Sequence, residues 1–473
     1  MSWSIRMIGL GVVALATACT ETSQVLVGGA GGAAGAGSFD AGTIPEDGGA
    51  VDASGDAGPP PRPEIIANPQ DEATYLFDDS QVRTYDIQIA PADLALINQD
   101  PTTEVYVPAS LVFEGQTYAS LRVRYKGGYG AFLPPCSGTQ GSIGGPKSGK
   151  CSMKLAFDQV DPNGRFYGQR KLNFHTMNRD RAMLRDRLGY SLFRDMGIAA
   201  PRAVHVRLLI NGQLEGLFAL VEQVDGRFTR SRFTDGGEGN LYKEIWPIHP
   251  DASTYLNALE TNEDQMPTVQ AMLDFKAAIE ADSTQTEAWI DREYTMKYVA
   301  IDRVIINDDG MFHWWCTAGG AGNNPGGVGN HNYYWYEATA HSSFWLIPWD
   351  FDHSFNTSAF VHIAPAWNAT APCTCTVQPN TSVAQMPASC DPLTRHFIGW
   401  KAEYDKYIDA FIAGPFSATS VDAKLDAWIS QIRPYVVEAA GLNGAPSEST
   451  WNTNVATLRT VIAEARQNRG FPY

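Results

Sequence analysis

The residues of this chain best suited to chemistry are acids and amides set at the ends of apolar runs. Between Ile301 and Phe355 the sequence reads IDRVIINDDG, then a Gly/Asn/Trp-rich loop, then NHNYYWYE, and finally FWLIPWDFDHSF. Asn307, Asp308 and Asp309 close the first run, Asn332 opens the second, and Asp350 and Asp352 follow the third. Oxygen atoms delivered to one place from several strand ends suit a hard cation such as Mg²⁺. The competing reading is that these acids only serve turns and caps, where Asp bonds the local backbone. Three such clusters in one short region weigh toward a site.

The runs beside these acids, Tyr333-Tyr334-Trp335-Tyr336 and Phe344-Trp345-Leu346-Ile347, are aromatic and β-branched and read as buried strands. Upstream, a strand from Thr84 to Ile89 leads to a short helix starting near Pro91 to Asp93. A hairpin follows, turning at Glu114-Gly115, and its second strand carries Arg122, Arg124 and Lys126 on one face by alternation. Gly127-Gly128-Tyr129-Gly130 comes next. Such a loop can bring backbone amides to a phosphate, but an ordinary hairpin turn is the expectation. SMKLAFDQV is a strand presenting Lys154, and NLYKE a strand carrying Lys243. The clearest helix runs from Asp180, its expected cap, through Leu184, Leu188 and Leu192 to Gly197 and Pro201. Asn211-Gly212 between two apolar runs marks a second hairpin, which ends in Val221-Glu222-Gln223-Val224-Asp225. Helical spacing fills Pro267 to Ala300 and returns from Asp391 onward.

Composition narrows the partners. A net charge of −17 over 473 residues gives no basic face for nucleic acid, and 44% hydrophobic content supports a large core. The first nineteen residues form a targeting segment: Arg6, an apolar stretch from Met7 to Ala16, and Ala16-Thr17-Ala18 directly before Cys19. This resembles a bacterial lipobox with Cys19 as the lipid-bearing residue, although Leu15 lies one place further from Cys19 than the pattern prefers. A plain secretory signal is the alternative, and the run is too short to span a bilayer. Residues 20–63, rich in Gly, Ala, Asp and Pro, read as a flexible tether, and 64–473 as the folded domain. Apart from Cys19 there are Cys136, Cys151, Cys316, Cys373, Cys375 and Cys390, an even set suited to an oxidising compartment. Cys136 and Cys151 flank one loop and are expected to pair. The other four are expected to make two bridges of open connectivity, and Cys373 and Cys375, with only one residue between them, stand too close for the usual zinc knuckle.

Antiparallel strands, one helix, more strands, then a helical half with acids in strand-linked loops is the order of parts in a protein kinase. Neither an HRD nor a DFG motif is present. The run KLNFHTMNRDRAMLRDRLGYSLFRDMGIAAPRAVHVRLLINGQLEGLFALVEQVD and the set NDD, HNYYWYE and FWLIPWDFDHSF resemble the CotH family, the spore-coat-protein-H-like kinases, over roughly Ile65 to the C-terminus. The resemblance implies an α+β fold of atypical protein-kinase type, with an antiparallel-sheet N-terminal half and a mainly helical C-terminal half. It also implies an exported or surface enzyme that transfers phosphate from ATP to hydroxyls of exported proteins with Mg²⁺. On that footing Lys154 holds the α/β-phosphates, and Arg124 and Lys243 join it as cofactor-binding candidates. Backbone beside Glu222 meets the adenine and Asp309 orients the acceptor hydroxyl. Asn332 and Asp350 ligate the metal, with Asp352 behind them or as a further ligand. The expected location is the cell envelope, through a lipid on Cys19, at the outer membrane or cell surface. A surface adhesion or coat-assembly protein that keeps the fold without turnover is the rival reading. A carbohydrate-binding protein, suggested by twelve tryptophans, ranks below it because most of them sit in core-like patterns.

Overall fold

The computed structural model describes residues 62–139, 142–265, 267–316, 329–356, 373–377 and 384–469. The expected targeting segment, Cys19 and nearly all of the tether lie outside them, as does most of the insertion between Asp309 and Asn332.

Alternating apolar residues build the N-terminal half from β1 (Arg83–Ile89), β2 (Val107–Phe113), β3 (Gln116–Tyr125), β4 (Met153–Ala156), β5 (Lys171–His175), β6 (Ala203–Ile210) and β7 (Gln213–Val221). The β2–β3 turn has both Glu114 and Gly115 at positive φ, and the β6–β7 turn has Asn211 and Gly212 so, which is the geometry that lets two-residue hairpins match strand twist. The sheet closes on itself in the order β1-β2-β3-β4-β5-β7-β6. Closure comes from a parallel pairing of β1 with β6, which alternation within single strands does not reveal. Tyr85, Leu111, Val123, Leu155, Phe174 and Phe218 fill the interior.

Three helices belong to this half: α1 (Pro91–Gln99), the single turn α2 (Tyr129–Phe132), and α3 (Arg185–Asp195). The Gly127–Gly130 segment therefore opens a helical turn rather than a hairpin. The Asp180 carboxylate accepts from the backbone N–H groups of Ala182, Leu184 and Arg185, at 3.1, 2.6 and 2.7 Å. It satisfies the orphan donors ahead of α3 from five residues upstream, so the helix starts later than the leucine spacing suggests.

The C-terminal half is mainly helical: α4 (Gly226–Arg232), α5 (Ala252–Leu256), α6 (Gln270–Ala281), α7 (Ser283–Trp289), α8 (Arg292–Val304), α9 (Pro392–Gly399), α10 (Lys401–Ala413), α11 (Ala418–Ala439) and α12 (Glu448–Asn468). Two small sheets interrupt it. One has β8 (Leu241–Lys243), β10 (Tyr333–Glu337) and β11 (Phe344–Pro348); the other has β9 (Trp314–Cys316), β12 (Thr376–Val377) and β13 (Ala384–Met386). Every residue of β10 and β11 is buried, as their aromatic composition requires. Cys136 is joined to Cys151, Cys316 to Cys375 and Cys373 to Cys390. Among the described residues no helix is long and apolar enough to cross a membrane.

Candidate active site

The end of β11 runs into Asp350-Phe351-Asp352, and this turn is where the two halves of the chain meet. Asp350 takes a left-handed backbone conformation, φ 51°, unusual for a residue with a side chain. Two contacts from α3 hold it there. The Tyr190 hydroxyl accepts from the Asp350 N–H at 2.9 Å, and Asp186 Oδ1 accepts from the Phe351 N–H at 2.9 Å. The Phe351 ring stacks on Phe193 and meets Tyr190 edge-on, and it lies directly over Gly189. A Cβ at Gly189 would stand 2.6 Å from that ring. We expect Gly189→Ala to lower stability by about 1–3 kcal/mol, as overpacking of a filled core does. Chemical denaturation measures it, and an unchanged midpoint would mean that Phe351 does not seal this turn.

The barrel supplies basic groups to the same place. Arg124 of β3, Lys154 of β4 and Asn173 of β5 are directly paired across the ladder, so they share a face. Lys126 and His175, each two residues further, continue that face. Lys126 Nζ donates to His175 Nε2 at 3.0 Å, and His175 Nδ1 lies 3.5 Å from Asp186 Oδ2. Arg124 is paired with Glu104 at 2.6 Å. Burial pulls the Lys126 pKa down to about 8 against the opposing charge of Asp350, with Lys243 and Arg124 adding repulsion. Burial takes His175 down to about 3, and Lys126, Lys154 and Lys243 push it the same way, so the ring is neutral at ordinary pH.

The acids respond in the opposite sense. Burial pushes Asp186 up to about 6. Burial and the neighbouring Asp186 raise Asp350, and burial with Asp350, Asp186 and Asp309 raises Asp352. Burial would lower His353, but its bond to Asp308 and the charges of Asp352, Asp308 and Asp309 overcome that and raise it to about 10. Repelling carboxylates that resist ionisation are what a divalent cation relieves. His175, Asp186 and Asp350 can place ligand atoms within 4.8 Å of one another, a cluster able to hold a metal ion.

Asp309 and Asn332 form the third side. Asp309 Oδ1 accepts from the Trp315 indole at 3.1 Å, and Oδ2 from Asn332 Nδ2 at 3.1 Å. Asn332 Nδ2 also reaches the Asp309 carbonyl at 3.0 Å. Asn332 too is left-handed, φ 65°, and its carbonyl accepts from the Trp349 N–H at 3.1 Å, which ties it to the Asp350 turn. Asn307 is buried on Asp302 of α8 at 2.7 Å and anchors this acidic turn.

Glu222 sits differently. Its side chain is fully buried and accepts from Arg202, Arg227 and Arg232, at 2.7, 2.8 and 2.6 Å. Its own N–H donates to the Arg202 carbonyl. The carboxylate is thereby confined to an internal ion cluster. Sequence reasoning passed over His175, Asp186 and His353. His175 and Asp186 carry no spacing signal, since one merely ends a strand and the other sits inside a helix.

A sheet-rich N-terminal half joined to a mainly helical one, with bases and acids gathered where they meet, is an atypical kinase-like architecture. The family model described as CotH kinase protein matches residues 123–469, and the chain belongs to that family. It is similar to the inner spore coat protein H of Bacillus subtilis (strain 168), 21% identical over 280 residues, which are 59% of this chain and 70% of that protein. A solved structure, the Helicobacter pylori proinflammatory kinase CtkA, aligns with 76% of this chain and 94% of its own at 9% identity. Its TM-score of 0.22 is below what a shared fold requires.

Proposed function

We propose that this chain is a metal-dependent protein kinase that transfers the γ-phosphate of ATP to serine or threonine hydroxyls of exported or surface proteins. The observation that carries this reading is the meeting of a basic barrel face, with Lys126 and Lys154, the Lys243 side of the small β8 sheet, and the carboxylates of the Asp350–Asp352 turn around His175. Phosphoryl transfer asks for little covalent help, and its demands are cations for the phosphates and a carboxylate beside the hydroxyl. Lys154 and Lys243 gather the phosphate oxygens, with Arg124 behind them. Asp309, fixed by Trp315 and Asn332, holds the acceptor hydroxyl and takes its proton as the new O–P bond forms and the bond to the β-phosphate oxygen breaks. A Mg²⁺ ion held by Asp350, Asp352 and Asn332 Oδ1 would neutralise charge on the phosphates. Backbone after Glu222 meets the adenine.

The three bridges suit an oxidising compartment, and the Ala16-Thr17-Ala18-Cys19 segment suits lipid anchoring at the cell envelope. Calorimetry of ATP binding with and without Mg²⁺ tests the reading. Binding that requires the metal is expected. A folded protein that binds no nucleotide at any Mg²⁺ concentration would leave the adhesion or coat-assembly role in its place.

A further inference from the structure

A cavity of about 190 Å³ lies against α3, away from the face that packs on Phe351. Arg187, Ser191 and Arg194 line it at helical i, i+4 and i+7 spacing, with Arg202 ahead of β6, Trp428 of α11 and Asp79 completing the wall. Three guanidiniums around one small space need an account of their charge.

Arg202 has one, since it is paired with Glu222 at 2.7 Å and Asp71 at 3.0 Å. Arg187 is only 3% exposed, yet it spends its donors on neutral groups: His205 Nδ1 at 3.0 Å, Gln431 Oε1 at 2.8 Å and the Asp79 carbonyl at 2.8 Å. Its nearest carboxylate, Asp79 at 3.7 Å, is 67% exposed and largely screened by water. The buried Arg187 Nε finds no hydrogen-bond partner among the described residues. His205 adds no repelling charge, because burial and Arg187 hold it neutral, with a pKa lowered to about 3. Arg194 bonds the Pro201 carbonyl and forms no ion pair among the described residues. Lys424 donates to Ser191 Oγ at 2.7 Å, and its own charge is met by Asp195 at 3.0 Å. Burial lowers both the Arg187 and Arg194 pKa to about 10, against the attraction of Asp79 for the first and of Glu222 and Asp195 for the second.

We propose that this cavity is a binding site for a phosphate-type tetrahedral oxyanion, held between Arg187 and Arg194. Guanidinium forks match such oxygens in pairs, and the space exceeds what a few waters fill. An anion there would tie α3 to α11 and to the segment around Asp79, and so steady the helix that holds Phe351 through Asp186. Inorganic phosphate and a phosphorylated side chain present the same oxygens, so both are probed.

The test is thermal and calorimetric titration of the full chain with sodium phosphate, and separately with O-phosphoserine, against sodium chloride at equal ionic strength. Saturable stabilisation by one or both is expected, and the tighter of the two identifies the source of the phosphoryl group. Arg194→Gln, which changes a half-buried side chain, should weaken that binding about tenfold, the size of one charge-assisted bond. Ser191→Val, which narrows the cavity without touching an arginine, should weaken it as well. Lys154→Gln should leave it unchanged. The measurement needs no turnover, so it stands apart from the kinase reading. Phosphate stabilisation that survives both cavity variants and disappears in Lys154→Gln would place the anion in the nucleotide site and overturn the proposal. So would the absence of any saturable effect in the native chain.

Discussion

Asp309→Asn is expected to lower phosphoryl transfer about 100-fold or more while leaving Mg²⁺-dependent ATP binding in place. The carboxylate accepts from Trp315 on one oxygen and from Asn332 on the other. An amide keeps one acceptor but sets a second NH₂ against Asn332, so a stability loss of about 1 kcal/mol accompanies the change. Asp350→Asn should behave in the opposite way. Loss of a formal charge at the cation weakens ATP binding itself, and transfer falls with it. ATP affinity by calorimetry beside transfer to a generic protein acceptor separates the two. If both acids only cap strands, both variants lose thermal stability and neither shows a selective loss.

The largest effect on stability is expected at Glu222. Its carboxylate is the shared partner of Arg202, Arg227 and Arg232, and Arg232 is itself fully buried. Glu222→Gln leaves those guanidiniums in place with their central anion gone, which costs about 3–5 kcal/mol. Denaturant unfolding measures it. The pH dependence carries a sign. Burial would raise the Glu222 pKa, but Arg232, Arg202 and Arg227 hold it far below the usual carboxylate range. Its contribution is therefore fully present above the unfolded value of about 4.3 and is lost as pH falls toward the folded one. Native protein should lose stability steeply below about pH 4, and the Gln variant should show less of that fall. Equal acid profiles for the two would remove Glu222 as the keystone of the cluster.

Much of the architecture was legible residue by residue. The Asn211-Gly212 and Glu114-Gly115 turns, the aromatic and β-branched runs of β10 and β11, and the helical spacing after Asp391 are local signals, and each element formed where its pattern stands. The acids Asp309, Asp350 and Asp352 and the bases Lys154 and Lys243 were likewise visible as types in place. Barrel closure was not, because β1 and β6 pair in parallel across more than a hundred residues. Nor did the pattern disclose that Asp180 reaches forward past Leu184 to satisfy the α3 backbone.

Short-range periodicity and turn chemistry determined most of the strands and helices and which acids stand at their ends, but not the helical turn that Gly127–Gly130 opens. Tertiary structure decided what those acids face. Lys126 meets His175 across 49 residues of sequence, and Asp186 holds the Phe351 N–H across 165. No spacing rule spans such distances, because the contacts depend on how the barrel closes and where α3 packs. Charge followed the same division. The sequence states that Glu222 is an acid and Arg187 a base, but burial determines whether each has a partner. In a low-dielectric interior, that partner sets whether the group is a structural anchor or a site awaiting a ligand.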